Sequence, residues 1–166
     1  MTLKGLKSLT VVTLAYFVGL AIFARFWLGA ADLGTFDAQI FGYGLGDAQT
    51  YISGLSNGQI ALYRGPFRIA DTIFPALLAL TLLLWFRRWT VGSARLSLTL
   101  VTALYLAADY TENMLVGRLL VAGADGLTMK DVDTASLFTM GKWGVLIVCL
   151  AAFLMLWWQN RARQDR

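Results

Sequence analysis

The sequence contains no histidine and only one cysteine among its 166 residues. The missing histidine excludes histidine-ligated haem or chlorophyll, the usual zinc sites and a Ser-His-Asp triad. The single cysteine, Cys149, cannot form a disulfide within the chain, so quinone-linked disulfide chemistry is excluded as well. The sequence therefore predicts no metal site and no cofactor.

Charged residues are scarce too. They make up 14% of the chain, and hydrophobic residues make up 58%, whereas a soluble domain has roughly 25% charged residues. Long uncharged runs indicate an integral membrane protein, with the lipid bilayer as its surroundings. The net charge of +4 does not indicate nucleic acid, because the basic residues fall at helix ends, where membrane topology explains them.

The hydrophobic runs predict an all-α protein, a four-transmembrane-helix bundle that forms one domain over residues 1–166. Each predicted helix has a core of about 20 residues, enough to cross a hydrocarbon layer ~30 Å thick at ~1.5 Å per residue. The first helix resembles a signal peptide, but it is long enough to span, and we expect it to stay uncleaved. The predicted helices cover about residues 6–28, 66–85, 94–121 and 134–158.

Basic residues collect at one set of helix ends and acidic residues at the other. If successive helices alternate in direction, the positive-inside rule places both termini in the cytoplasm of a bacterial cell and the acidic loops outside its inner membrane. The basic set is Lys4, Lys7, Arg87, Arg88, Arg95, Arg161, Arg163 and Arg166, and the acidic set is Asp32, Asp37, Asp47, Asp125, Asp131 and Asp133.

The only long link is the outer loop between the first two helices, residues 29–65. Within it we expect Asp47 to cap a short helix that runs through about Leu55 and is ended near Asn57. That helix either rests on the mouth of the bundle or covers a site as a lid. We expect the second long helix to begin at Pro66, because a proline at the first helical position loses no hydrogen bond.

The third predicted helix carries a polar stripe of Thr102, Tyr105, Asp109, Glu112 and Asn113. Spacings of three and four place these residues on one face of a helix. Charged residues at membrane depth usually face a protein interior or a water-filled cavity, and they need a partner. Counted from the outer end, Glu112 lies roughly 13 Å deep and Asp109 roughly 18 Å deep.

The fourth helix offers that partner in Lys142, at a depth of roughly 12 Å. We expect Lys142 to pair with Glu112, or to bridge Glu112 and Asp109. One lysine cannot neutralise both acids, and two carboxyls that share a proton suit acid–base chemistry or proton relay. If the protein catalyses a reaction, the expected catalytic residues are therefore Asp109, Glu112 and Lys142.

Further polar residues near the outer helix ends complete a candidate binding site. With Arg25, Arg68 and Asp71 included, the buried charges number three positive and three negative, and a buried network requires such a balance. The arginines either reach the membrane interface or anchor an anionic headgroup, and Asp71 either pairs with Arg68 or joins the site. The expected ligand-binding residues are Asp71, Arg68, Asn113, Tyr105, Thr139 and Arg25.

Three segments resemble those of a group of uncharacterised four-helix bacterial inner-membrane proteins: D-x-x-F-P at residues 71–75, A-D-x-x-E-N at residues 108–113 and T-x-x-K-W at residues 139–143. The resemblance implies the same bundle and brings no activity with it. The architecture alone is also similar to lipoprotein signal peptidase, a family that uses two aspartates from neighbouring helices. Lys142 stands where that family has a carboxylate, so an aspartyl protease would need Asp109 to meet Asp71.

Three hypotheses about the function of the protein follow from the sequence. The first is a polar site in the outer half of the bundle that binds or processes a lipid-like or small amphipathic ligand, with an aspartyl intramembrane hydrolase as a minor variant. The second is an accessory subunit of a larger membrane complex, in which the charges only fix helix register. A proton or ion path ranks last, because little polarity continues through the inner halves of the helices. A cavity that reaches Asp109 favours the first reading, and a sealed, mutually paired cluster favours the second.

Overall fold

The computed structural model describes residues 2–164, so Arg166, one of the basic residues that predict the topology, lies outside the described residues. Within this range the protein is all-α, and the only β pairing is an isolated bridge between Ala30 and Leu33. The helices are α1 (Leu3–Trp27), α2 (Leu45–Gly54), α3 (Asn57–Trp89), α4 (Gly92–Ala122) and α5 (Met129–Gln164). Three of them, α1, α3 and α5, are long and apolar enough to cross a membrane.

The remaining long helix, α4, has 31 residues and a divided surface. One face is polar and buried, with Thr102, Asp109 and Glu112 among its residues. The other face is apolar and exposed; it includes Leu96, Leu100, Leu104, Met114 and Val121. This division turns the predicted polar stripe inward.

Helices α1 and α3 pack antiparallel. The Thr13 and Thr81 hydroxyls are 2.8 Å apart, and the Trp85 indole donates to the Thr10 hydroxyl at 2.9 Å. Near the other end of the same pair, the Phe23 ring stacks on an aromatic ring of α3 with 5.8 Å between centroids. Early residues of α1 therefore meet late residues of α3. The two-residue link that follows Trp89 turns the chain so that α4 packs back on α3.

Two apolar clusters lie at opposite ends of the long helices. We call the end where residues 28–44 and 123–128 connect the helices the loop end. There α2 buries Ala48, Tyr51 and Ile52 against Leu28 and Phe36, together with residues of α3, α4 and α5. Towards the other end, a second cluster consists of Leu82, Phe86, Tyr105, Leu146 and Cys149. The polar site lies between the two clusters.

Helix α3 begins nine residues before the predicted start. Ser56 caps it: its hydroxyl accepts from the backbone N–H of Gln59, whose side chain accepts from the N–H of Ser56. The prediction that Pro66 begins the helix was wrong, because Pro66 lies in a π-helical turn, Tyr63–Phe67, inside it. A π turn breaks the regular bonding of the helix locally, and a residue without an N–H fits there at little cost.

The short helix α2 is present, but its ends differ from the prediction. Gly44 is its N-cap, and Asp47 sits at the third helical position, where its carboxylate accepts from the Gly44 N–H at 3.0 Å. The helix ends at Gly54, one residue before the predicted end, and Asn57 belongs to the start of α3 instead. The expectation that Asp47 is the N-cap was therefore wrong by three residues, although the carboxylate does stabilise that helix end.

Candidate functional site

The centre of the polar site is the ammonium group of Lys142, which is 6% exposed. It forms an ion pair with Glu112 Oε2, another with Asp37 Oδ1 at 2.9 Å, and it lies 3.8 Å from Asp109 Oδ2. The predicted contact between Lys142 and Glu112 is confirmed, and so is the approach to Asp109. The pairing with Asp37 was not predicted.

The register of α4 against α5 explains how one lysine reaches two acids of α4. The Thr139 hydroxyl lies opposite Glu112 and donates to its Oε1 at 2.5 Å. Lys142 comes nearly one turn later on α5, opposite Asp109, and its long side chain reaches back to Glu112. The prediction placed Lys142 level with Glu112 because it began α5 at Thr134, whereas α5 begins at Met129.

Glu112 is sealed inside the protein. Its side chain is 0% exposed, as is that of Thr139, and both lie where α4 packs on α5. One carboxylate oxygen faces the hydroxyl of Thr139 and the other faces the ammonium of Lys142. Because Glu112 is fully buried, lies outside the cleft lining and has a partner at each oxygen, it is placed to hold its neighbours rather than to contact a ligand.

Asp109 has a different environment, one turn further along α4. Its Oδ1 accepts a long hydrogen bond of 3.3 Å from the Asn113 amide, and its Oδ2 lies beyond hydrogen-bond distance of Lys142, at 3.8 Å. The residue also lines a cavity. Asp109 is therefore weakly bonded within the protein, and it faces open space.

That cavity is a cleft of about 540 Å³ bounded by α1, α3, α4, α5 and the loop 34–40. Its walls are mostly apolar. On one side Leu14 and Phe17 of α1 remain exposed, and on the other Leu150 of α5 does, so the cleft opens sideways between these two helices. Its polar residues are Thr13, Arg25, Thr35, Asp37, Asp71, Tyr105, Asp109 and Lys142. The cleft is thus apolar along its walls and charged where Lys142 and its carboxylates meet it.

The loop that closes the site is held by Asp37. Its Oδ1 accepts from Lys142 at 2.9 Å, its Oδ2 accepts from the Tyr63 hydroxyl at 3.1 Å, and its backbone carbonyl accepts from the Trp143 indole at 2.9 Å. Burial raises the pKa of Asp37, but the Lys142 charge and the hydrogen bonds from Lys142 and Tyr63 outweigh burial, so the pKa lies below its usual range. A short 3₁₀ turn, Phe36–Ala38, presents the carboxylate.

Sequence reasoning took Asp37 for one of six loop acids, and no sequence signal separates it from the others. Of the two alternatives for the short helix, a helix that rests on the mouth of the bundle and a lid over a site, the structure shows the first. Residues of the loop 34–40 line the cleft, whereas the residues of α2 do not. Instead, α2 packs on the loop end with Tyr51 fully buried.

The expected balance of three positive and three negative charges is not formed. Among residues 2–162, whose side chains the structure describes, Lys142 is the only basic residue in an ion pair. The guanidinium of Arg68 occupies the space that a Cβ at Gly117 would fill, so it lies against α4 and outside the cleft lining. The proposed pairing of Arg68 with Asp71 is therefore absent. A spacing of three places Arg68 and Asp71 near one another on the helix. The guanidinium nevertheless lies against α4, in the space left by the missing side chain of Gly117.

The nine predicted site residues divide into two groups. One group lines the cleft: Asp71, Tyr105, Asp109, Lys142 and Arg25. The other group lies outside the lining: Glu112, Asn113, Thr139 and Arg68. Within the second group, Asn113 donates to Asp109 and Thr139 donates to Glu112, so both support the site from behind.

No family model, curated protein or solved structure matches this chain. The fold and the site themselves therefore define the class: an all-α protein with three helices long and apolar enough to cross a membrane, and a side-opening apolar cleft that meets a cluster of carboxylates around one lysine.

Proposed function

We propose that this is a small bacterial inner-membrane protein that binds or processes a lipid-like or small amphipathic ligand. The observation that carries the proposal is the cleft of about 540 Å³, with apolar walls and with Asp71, Asp109 and Lys142 in its lining. Pockets of roughly 300–1,000 Å³ that combine apolar walls with a few polar groups are typical ligand sites. An amphipathic ligand matches both parts of this lining.

The proposal places the chain in the membrane as a four-helix bundle with both termini in the cytoplasm. Helix α4 would be the fourth crossing: it packs between α3 and α5, hides its polar face and leaves an apolar face exposed. Basic residues at the end opposite the loop end support the orientation through the positive-inside rule; they include Lys4, Lys7, Arg87, Arg88 and Arg161. The loop end and the polar site then belong to the outer half of the bilayer.

A ligand would enter from the lipid. The cleft opens between α1 and α5, where the exposed residues Leu14, Phe17 and Leu150 would face hydrocarbon. The apolar tail of the ligand then leaves the lipid and packs against the walls of the cleft, and its polar head moves towards Asp109. This route requires no opening of the loop 34–40, which Asp37 holds closed.

The residues take unequal parts in this proposal. Asp109 is the group placed to exchange a proton with a bound ligand, since it faces the cleft and is weakly bonded. Lys142 supplies a positive charge beside it. Glu112, first expected to act with Asp109 as an acid–base pair, serves in the proposal as the anchor of Lys142, because it is sealed away from the cleft.

The accessory-subunit reading has an observation of its own in its favour. The Glu112, Thr139 and Lys142 contacts join α4 to α5 deep in the protein, as charges that fix helix register should. If register were their only role, Asp109→Asn and Lys142→Met would cause the same loss of folded protein. If the cleft is a site, Asp109→Asn leaves the protein folded and removes ligand binding.

The hydrolase variant is favoured by the two aspartates Asp71 and Asp109, which come from neighbouring helices and line the same cleft. Two carboxylates of this kind can activate a water molecule between them. The variant predicts that the purified protein cleaves a component of its own membrane extract, detected by mass spectrometry, and that either asparagine variant stops the cleavage. Unchanged extracts would argue for binding alone.

The central test is to block the cleft from α1. Ala21 lines the cleft and is exposed, so Ala21→Trp would place an indole in its mouth. The matched control is Ala15→Trp, on the same helix, at an exposed position outside the lining. Native mass spectrometry of each protein, released from membranes in a mild neutral detergent, measures the small molecules that stay bound.

We expect the wild-type protein and Ala15→Trp to retain the same amphipathic species, and Ala21→Trp to lose it. Equal retention by both tryptophan variants would place the ligand elsewhere and contradict the proposal. So would a wild-type protein that retains no small molecule in any detergent.

A further inference from the structure

We infer that the ligand carries a positive charge: an ammonium group on an apolar body. This inference rests on the proposed function, because it names the class of ligand that the cleft would take. It replaces the earlier expectation of an anionic headgroup, for which Arg68 or Arg25 was the predicted anchor. Arg68 lies outside the lining, and Arg25 lines the cleft only as an exposed residue.

The first step is the charge carried by the lining. Three carboxylates line the cleft, those of Asp37, Asp71 and Asp109, and a fourth, that of Glu112, lies directly behind Lys142. Lys142 is the only cation that any of them pairs with in residues 2–162. The other basic residue of the lining, Arg25, is exposed and forms no ion pair in that range. Acidic side chains therefore outnumber basic ones where Lys142 meets the cleft.

The second step is that Lys142 cannot accept an anion. An ammonium group has three hydrogens to donate. The Lys142 ammonium already pairs with Glu112 and Asp37, faces Asp109, and belongs to a residue that is 6% exposed. A phosphate or carboxylate of a ligand would have to displace one of these groups and would meet the remaining acids at close range. Burial of like charges together is costly.

The third step is that two acids have capacity left. Asp71 lines the cleft without an ion pair within the described range, and Arg68, its expected partner, points to Gly117 instead. Asp109 accepts a long bond from Asn113, faces the Tyr105 hydroxyl and lies 3.8 Å from Lys142. Hydrogen bonds between an ammonium and a carboxylate are among the stronger ones in proteins. A ligand ammonium at these two acids would supply the missing positive charge.

The apolar walls define the rest of the ligand. The Phe17 and Phe74 rings, with centroids 5.3 Å apart, and the side chains of Leu146 and Leu150 lie along the cleft. An alkyl or aromatic body fits against them, and the ammonium group fits at Asp71 and Asp109. Two sources have this chemistry: a single-chain amine, and a membrane lipid with an amino headgroup.

The test compares ligands that share a tail and differ in the charge of the head. Dodecylamine, dodecanol and dodecanoate are each titrated, below their micellar concentrations, into the wild-type protein in neutral detergent at pH 7.5, and binding is measured by native mass spectrometry. We expect dodecylamine to bind more tightly than either of the others, by about tenfold or more for one well-placed ion pair. A second arm compares phosphatidylethanolamine with phosphatidylglycerol of the same chains, in order to separate the lipid source from the free amine.

Variants connect the charge preference to named residues. Asp71→Asn and Asp109→Asn should each weaken dodecylamine binding by about tenfold and leave dodecanol binding unchanged. Thermal melting of both variants checks that they fold, and Ala15→Trp serves as the neutral control. If one asparagine variant fails to fold, the other still decides the question.

The outcomes separate the two proposals. Dodecanoate or phosphatidylglycerol bound in preference to the amine, and lost in Ala21→Trp, would overturn the positive charge and keep the cleft as a binding site. Binding of all three ligands that is insensitive to Ala21→Trp would overturn the proposed function as well. A preference for either amine, abolished by Asp71→Asn or Asp109→Asn, supports the inference and identifies the source.

Discussion

Glu112 and Asp109 are neighbouring acids on the same face of α4, yet their surroundings are opposite. Glu112 is fully sealed, with Thr139 on one oxygen and Lys142 on the other. Asp109 lines the cleft, with a single long hydrogen bond and with Lys142 at 3.8 Å. The carboxylate of Glu112 is engaged in contacts that hold the protein together. One helical turn away, the carboxylate of Asp109 remains available for other contacts.

The difference shows how a charged cluster can serve two purposes at once. The sealed half fixes α5 against α4, and with Asp37 it fixes the loop as well. That rigidity lets the open half keep Asp109 in place at a cleft without a strong bond of its own. From the sequence alone, a structural lock and a functional site are competing explanations, whereas in the structure a sealed, paired acid and an acid that faces a cleft are neighbours on one helix.

The largest expected effect comes from removing the lysine that both halves share. Lys142→Met takes away the one cation that pairs with Glu112, Asp37 and Asp109 in the described part of the chain. Because buried carboxylates are left without a counter-charge, we expect a loss of about 3–5 kcal/mol in the free energy of unfolding. Denaturant unfolding in mixed micelles, followed by circular dichroism, measures it.

The comparison variant for this experiment is Asp109→Asn, which removes a surplus charge and keeps the shape of the side chain. We expect it to change the free energy of unfolding by less than about 1 kcal/mol. If the two variants lost equal stability, Asp109 would belong to the structural lock, and the contrast between the two acids would disappear.

A smaller effect should follow from Thr139→Val, which keeps the shape and removes the hydroxyl that donates to Glu112 at 2.5 Å. A hydrogen bond to a buried charge contributes about 1.5–3 kcal/mol, and we expect a loss of that size. The matched control is Thr111→Val on α4, whose hydroxyl donates only to the Ala107 carbonyl of its own helix. A loss no larger than that of the control would mean that Glu112 is held by Lys142 alone.

Local rules predicted much of the fold and half of the site. Hydrophobic runs gave the long helices, because any 20-residue apolar stretch must bury its backbone polar groups in a helix at membrane depth. Spacings of three and four predicted the inward stripe of α4, and all five of its members, Thr102, Tyr105, Asp109, Glu112 and Asn113, are buried. The antiparallel link to α5 then gave Lys142 as their partner.

The parts that were missed depend on information that has no sequence period. Asp37 lies 105 residues from Lys142 in the chain, in a loop whose path is set by the helices it crosses. The guanidinium of Arg68 fills the space left by the missing side chain of Gly117, and helical spacing alone does not predict that space. A proline fits both at the start of a helix and in an internal π turn, so Pro66 alone does not show where the helix begins. Only the capping residues around Ser56 distinguish the two cases.

The smallest expected effect concerns the pH dependence of the loop. Asp37 has a pKa held below its ordinary value of 3.8, so the folded protein favours its charged form more than the unfolded chain does. Its contribution to stability is therefore complete above about pH 4 and is lost as the pH falls below that value. We expect the free energy of unfolding to exceed that of Asp37→Asn by about 1–2 kcal/mol, by the same amount at pH 7 and pH 5, and the gap to close below pH 4. Asp47→Asn, which changes an exposed helix-end carboxylate, serves as the control. A gap that widens as the pH falls from 7 to 5 would mean that burial dominates over Lys142 and raises the pKa of Asp37, and that the loop is held by Tyr63 and Trp143 rather than by the charge pair.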